Sequence, residues 1–138
     1  MYDNTWVLDR QTTIYSKLKA KLLTKLRASY PDLNVTQDTT VMTDAKFPNV
    51  LVTFLQPVEQ GKDLEGKAIN AVLMTIEVDV TVTHDQGMTV ANEVAWEVLN
   101  ILKDMSFDTS MPFFDMTSNK TYRTLSRFSR IIGYNDII

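Results

Sequence analysis

Apolar and polar side chains alternate with a period of two from Val72 to Thr83. Val72, Met74, Ile76, Val78, Val80 and Val82 fall on one register, and Thr75, Glu77, Asp79, Thr81 and Thr83 fall on the other. Successive side chains of a strand point to opposite faces, so this run predicts a long, half-buried β-strand at the centre of a sheet. Burying its six apolar side chains contributes roughly 1.5–3 kcal/mol each before chain entropy is set against it. What the polar register meets is the functional question.

A helical period occupies residues 8–29. Tyr15, Leu18, Leu22 and Leu26 recur at spacings of three and four, with Lys17, Lys21 and Lys25 on a second stripe and Tyr30-Pro31-Asp32 as the stop. Residues 33–43 read as a weaker extended segment, with Leu33, Val35, Val41 and Met42 among polar residues. Residues 47–55 form a clearer strand, beginning at Phe47-Pro48 and closed by Gln56-Pro57. The polar stretch that follows is longer than a tight hairpin needs, and it predicts a projecting hairpin arm near 56–67 that carries Gly61, Lys62 and Asp63. The plainer alternative is a loop whose length is merely tolerated.

A second helix is expected from Met88 to Lys103, where Val94, Ala95, Val98, Ile101 and Leu102 make a broad apolar stripe. Trp96 lies off the centre of that stripe, which suits either the rim of the core or a subunit contact. Residues 106–119 are interrupted by Pro112 and read as an irregular loop, with Phe107, Met111, Phe113, Phe114 and Met116 packing on the domain or on a neighbour. From Lys120 the chain is extended again. Arg123, Leu125 and Arg127 share one register and Tyr122, Phe128 and Ile132 the other, an imperfect alternation that suggests a bulge near Ser126 or a strand at an edge or interface. The expected fold is α+β, an antiparallel sheet of about four strands with two helices packed on one face, in the order α-β-β-β-α-β, within a single domain of residues 1–138.

Composition narrows the chemistry. With 138 residues, 44% hydrophobic, the chain can bury a real core, and a net charge of −3 argues against nucleic-acid binding through the whole surface. Residues 1–30 nevertheless hold six basic residues against two acidic ones, a balance of +4 that leaves −7 for the rest. The lysine stripe of the first helix suits either an acidic partner or an ordinary solvated face. There is no cysteine, so disulfides and thiolate metal sites are excluded. The amino terminus lacks a basic region leading into an apolar run, and no eighteen apolar residues follow one another, so neither secretion nor membrane spanning is expected.

His84 is the only histidine, which removes triads and multi-histidine metal sites. Glu77 and Asp79 lie two apart on one face, as an acid/base or metal pair would, but equally as a solvated or interface face would. Arg123, Arg127 and Arg130 form a basic series that could hold phosphate or pair across the sheet with Glu77 and Asp79. Gly61 and Gly66 do not make a phosphate loop, because no Gly-Lys-Ser/Thr follows. No catalytic, metal or cofactor residue is assigned.

Several of these residues together resemble a known family. Phe47-Pro48-Asn49-Val50 at a strand start, a polar glycine-containing loop, a long alternating strand, the Ala91-Asn92-Glu93-Val94 helix, Met105-Ser106-Phe107, and Tyr122-Arg123-Thr124-Leu125-Ser126-Arg127-Phe128 are similar, over residues 47–132, to the tail-terminator (tail-completion) proteins of long-tailed bacteriophages. The resemblance implies a non-enzymatic virion subunit at the head–tail junction, assembled in the host cytoplasm. Its subunits form a hexameric ring that caps the tail tube, stops its polymerisation and docks to the head-side connector, with DNA passing through the lumen without sequence-specific binding. It also implies that Glu77 and Asp79 face the lumen or a neighbour, and that the 56–67 arm and the Phe107–Met116 loop touch adjacent subunits, the tube or the connector. The rival expectations are another neck or tail-tube subunit of similar fold, such as a head-closure or adaptor protein, and a nucleic-acid-binding α+β module that uses the helix lysines and the Arg123–Arg130 strand.

Overall fold

The computed structural model describes residues 4–37, 46–62, 68–118 and 120–138. Its elements run α1 (Trp6–Leu26), β1 (Asn34–Thr36), β2 (Asn49–Phe54), β3 (Val58–Lys62), β4 (Ile69–Thr83), α2 (Gly87–Asp104), β5 (Asp108–Thr117) and β6 (Thr121–Gly133). The strands join in one sheet in the order β1-β2-β4-β6-β5, with β3 also paired to β4.

β4 is the alternating stretch, extended three residues towards the amino terminus. Val72, Met74, Ile76, Val78, Val80 and Val82 are all buried on the side of the helices, while their odd-numbered neighbours lie on the opposite, helix-free face. One edge of β4 bonds β2 at residues 76–81 and β3 at residues 69–73. The other edge bonds β6 in one unbroken antiparallel ladder from Ala71↔Gly133 to Thr83↔Thr121.

The α+β class with two helices holds, but three details of the sheet differ from the expectation. The sheet is mixed, because β1 pairs with β2 in parallel. The twelve residues between Thr36 and Asn49 are long enough for the crossover that a parallel pair requires. Residues 38–45, which include the expected strand residues Val41 and Met42, lie outside the described residues. Secondly, the sheet has six strands among the described residues rather than four. The arm contributes β3, and the expected irregular loop is the edge strand β5. Pro112 and the adjacent Phe113-Phe114 hide that strand by breaking alternation, and the chain absorbs both through two register shifts against β6, between Thr109 and Met111 and between Met111 and Phe114.

The third difference concerns β6. It carries no bulge against β4 at Ser126, and it is an interior strand. Its core-facing register is Tyr122, Thr124, Ser126, Phe128, Arg130 and Ile132; Thr124 and Ser126 are buried although polar. Ala91 and Ala95 of α2, the helix packed across β4 and β6, are buried as well, so both elements carry small residues where helix and sheet meet. The buried Thr124 Oγ1 has no hydrogen-bond partner among the described residues.

Helix α1 begins earlier than its apolar period suggests. Trp6 and Val7 join Ile14, Leu18 and Leu22 in the core, and Trp6 Nε1 donates to the Ile69 carbonyl at 3.1 Å, tying the first turn to the start of β4. Helix α2 ends in a Schellman motif. Ser106 N–H bonds Lys103 O at 2.9 Å and Phe107 N–H bonds Leu102 O at 2.9 Å, with Phe107 and Leu102 both fully buried. Ser106 takes φ 67° to make this turn, a left-handed conformation that glycine adopts more easily.

Two stability changes follow. Ser106→Gly raises the unfolding free energy by about 0.5–1 kcal/mol, and Phe128→Ala, at a 0% exposed position, lowers it by about 3–5 kcal/mol. Urea titration followed by far-UV circular dichroism checks both; a destabilised Ser106→Gly would mean that the serine makes a bond the turn depends on.

Candidate functional site

The helix-free face of the sheet collects the charged residues that the sequence singles out. Ladder pairing puts them in rows. Thr53, Glu77, Arg127 and Met111 are successive partners across β2, β4, β6 and β5, and Leu51, Asp79, Leu125 and Phe114 form the next row. Residues opposite one another in a ladder share a face, so carboxylates on β4 stand in a column beside guanidinium groups on β6.

Asp79 and Arg123 form the tighter pair. Arg123 Nε donates to Asp79 Oδ1 at 3.2 Å and Arg123 Nη2 donates to Oδ2, a two-pronged contact that runs diagonally across the ladder. Asp79 is 8% exposed, so the arginine supplies the partner that a buried carboxylate needs. The hydrogen bond to Asp79, with the nearby charges of Asp79 and Glu77, raises the Arg123 pKa above its ordinary value against the opposing effect of desolvation. Arg127 Nη2 reaches Glu77 Oε2 only at 3.7 Å, and its buried Nε has no hydrogen-bond acceptor. Of the two readings of the arginine series, cross-strand pairing describes Arg123 and Arg127.

Arg130 belongs elsewhere. An even-numbered residue of β6, it lies on the helix side, where Nη1 donates to the Met105 carbonyl at 2.8 Å and supports the carboxyl end of α2. The series of three arginines is thus a pair on one face and a helix cap on the other. With two arginines beside two carboxylates, the face is charge-balanced rather than acidic. Apolar side chains flank the charges: Ile131 is 56% and Phe114 59% exposed, with Leu51, Leu73 and Leu125 half-buried on the same face.

The remaining candidates lie away from that face. Trp96 on α2 is 54% exposed and meets Phe113 of β5 edge-to-face, ring centroids 5.1 Å apart. Beside it the Tyr30 hydroxyl donates to Glu93, and that bond raises the tyrosine pKa. Phe113 and Phe114 therefore project to opposite sides of the sheet edge. Gly61 of β3, next to Lys62, pairs with Ala71 of β4 between two register shifts; Asp63, Gly66 and Lys67 lie outside the described residues.

The lysine stripe is partly engaged. Lys25 bridges to Glu97 at 3.2 Å and Lys17 donates to the Ile138 carbonyl oxygen, while Lys21 lines an open groove between the helices. His84 stacks on Tyr122 with centroids 4.5 Å apart, and its Nε2 lies 2.9 Å from the Ser118 carbonyl oxygen, a contact that holds the β4–α2 turn against the β5–β6 turn. No group of three or more His, Cys, Asp or Glu residues capable of holding a metal is found among the described residues. No known protein family and no curated protein matches this chain. No helix among the described residues is long and apolar enough to cross a membrane.

Sequence reasoning named the ion-pair residues and Phe114 as interface candidates but missed Ile131 and the face that Ile131 and Phe114 share with the charges. Ile131 and Phe114 join that face only through the β6 and β5 pairings, and the signal available was the odd register of β6, in which Leu125 and Ile131 accompany the arginines.

The geometry orders the two pairs energetically. A double-mutant cycle on Asp79→Ala and Arg123→Ala should give a coupling of about 1 kcal/mol, and one on Glu77→Ala and Arg127→Ala about 0.3 kcal/mol, both discounted for solvent screening of the half-exposed arginines. Urea unfolding of the four single and two double variants measures it; equal couplings would contradict the difference in geometry.

Proposed function

We propose that this chain is a structural subunit of the tail-terminator kind. It assembles, with no catalytic step, into a ring that caps a phage tail tube, ends its polymerisation and joins the tail to the head-side connector. The observation that carries the reading is the helix-free sheet face: Asp79 is held by Arg123, Glu77 and Arg127 are only loosely paired, and exposed apolar side chains flank them. Such a face suits contact with a neighbouring protein better than turnover of a small molecule.

Three further features support it. The exposed Trp96 with Phe113 offers an aromatic anchor at the sheet edge, of the type that concentrates binding energy in interfaces. β3, the described part of the 56–67 arm, pairs along β4 beside the end of β2, and the tail-terminator resemblance implies that the arm contacts a neighbour, the tail tube or the connector. Two of the three stripe lysines are already engaged within the chain, which leaves less basic surface for a nucleic-acid module. The charge balance of the Glu77–Arg127 face favours placing it against a protein neighbour, so an acidic lining for a DNA-filled lumen would have to come from other residues.

Mass photometry of the purified chain, alone and with tail tubes, tests this reading. The expected result is a ring in solution or at the tube end, and a shortened arm lacking residues 63–66 should melt normally yet cap tubes poorly. A strict monomer that binds oligonucleotides with a steep salt dependence would replace it with the nucleic-acid reading.

A further inference from the structure

We propose that the helix-free sheet face binds a second copy of this chain face to face, about a two-fold axis that runs along the strands between β4 and β6. The charge pattern is the main argument. Carboxylates stand in a column on β4 and guanidinium groups in the adjacent column on β6. A half-turn about an axis parallel to the strands lays β4 of one copy over β6 of the other. Glu77 and Arg127 share one level of the ladder, so each Glu77 then faces the second copy's Arg127. The other in-plane two-fold, perpendicular to the strands, lays β4 over β4 and sets carboxylate against carboxylate, which like-charge repulsion rejects.

The apolar rows agree with the same axis. Leu73 and Ile131 are ladder partners, so each Leu73 covers the second copy's Ile131; Leu51 and Phe114 end one row, so each Leu51 covers the second copy's Phe114. Arg127 has capacity for another carboxylate, since its contact with Glu77 is 3.7 Å long and 43% of its side chain stays exposed. The area is also sufficient. Thirteen ladder levels on β4 and on β6, nine on β2 and β3 together and eight on β5, at about 3.4 Å by about 4.8 Å each, give a footprint of roughly 700 Å² per copy, within the range of a standard stable interface. Two sheets packed with aligned strands are a familiar arrangement, their inner side chains interdigitating across about 10 Å.

This contact does not rest on the ring reading. A two-fold contact closes on itself, whereas a ring needs head-to-tail contacts through other surfaces. Sedimentation velocity of the full chain up to about 200 µM tests the pair, over the range where a standard interface is populated. The wild type should sediment as a dimer or as an even-numbered assembly. Ile131→Glu, at an exposed position that leaves the urea midpoint unchanged, should weaken the pairing by about tenfold or more. Glu77→Arg and Arg127→Glu should each be monomeric alone and form a one-to-one dimer when mixed, because the axis sets the arginine introduced in one variant against the glutamate introduced in the other. A wild type that stays monomeric, or an assembly indifferent to Ile131→Glu, overturns the proposal, and folded charge variants that do not pair on mixing overturn the axis. Rings that survive Ile131→Glu would leave the ring reading standing without this contact; a dimer that never forms rings would do the reverse.

Discussion

The structure depends on a single constraint, the register of β4. The strand bonds β2 and β3 along one edge and β6 along the other, and every even-numbered side chain from Val72 to Val82 enters the core. A slip of one residue would move all six to the helix-free face and bring Glu77 and Asp79 beneath the helices. The cost of burying unpaired carboxylates and exposing six apolar side chains fixes the register more firmly than any one hydrogen bond does. The positions of the partner strands follow. The charged rows exist because β6 is locked to β4 level by level, and Arg127 meets Glu77 for the same reason that Phe128 meets Ile76.

That constraint also explains how much of the molecule was legible in the sequence. β4, β2, β6 and both helices announce themselves through periodicity, because one face of each is buried over at least a turn or several residues. β5 does not. Pro112 and the Phe113-Phe114 doublet break the period of two, and the strand is held by its edge pairing with β6, which a local pattern cannot report. The parallel β1–β2 pair is hidden for a similar reason, since three residues are too few to carry a pattern and their direction is set by the chain that connects them. On β6, Thr124 and Ser126 read as departures from alternation until α2 is seen to pack across that strand and bury them.

The candidate site was half legible. Residue type and spacing offered cross-strand pairing of Glu77 and Asp79 with arginines as one of two readings, the one that needed only the strands to be neighbours. Which arginines was a question of parity. Arg123 and Arg127 share the odd register of β6, whereas Arg130 is even and serves the end of α2. One strand therefore divides its positive charge between a surface and a structural cap, and three residues that look like one basic series perform two unrelated tasks.

The place of β6 in the sheet has a consequence for how the chain reaches this state. β6 follows every other described strand in sequence, yet it sits in the interior between β4 and β5. A nascent chain emerging from the ribosome can assemble α1, β2, β3, β4 and α2 while one whole edge of β4 still lacks its partner. β5, synthesised before β6, has no strand partner but β6 among the described residues, so its ladder cannot form until that last strand arrives. The central ladder is thus closed late, by residues about forty positions or more from their partners, a topology that folds slowly and leaves an adhesive strand edge open in the meantime. Any fragment that stops before Thr121 keeps that edge open permanently, so quality control in the cell would meet this protein's truncated forms as aggregating species rather than as smaller domains.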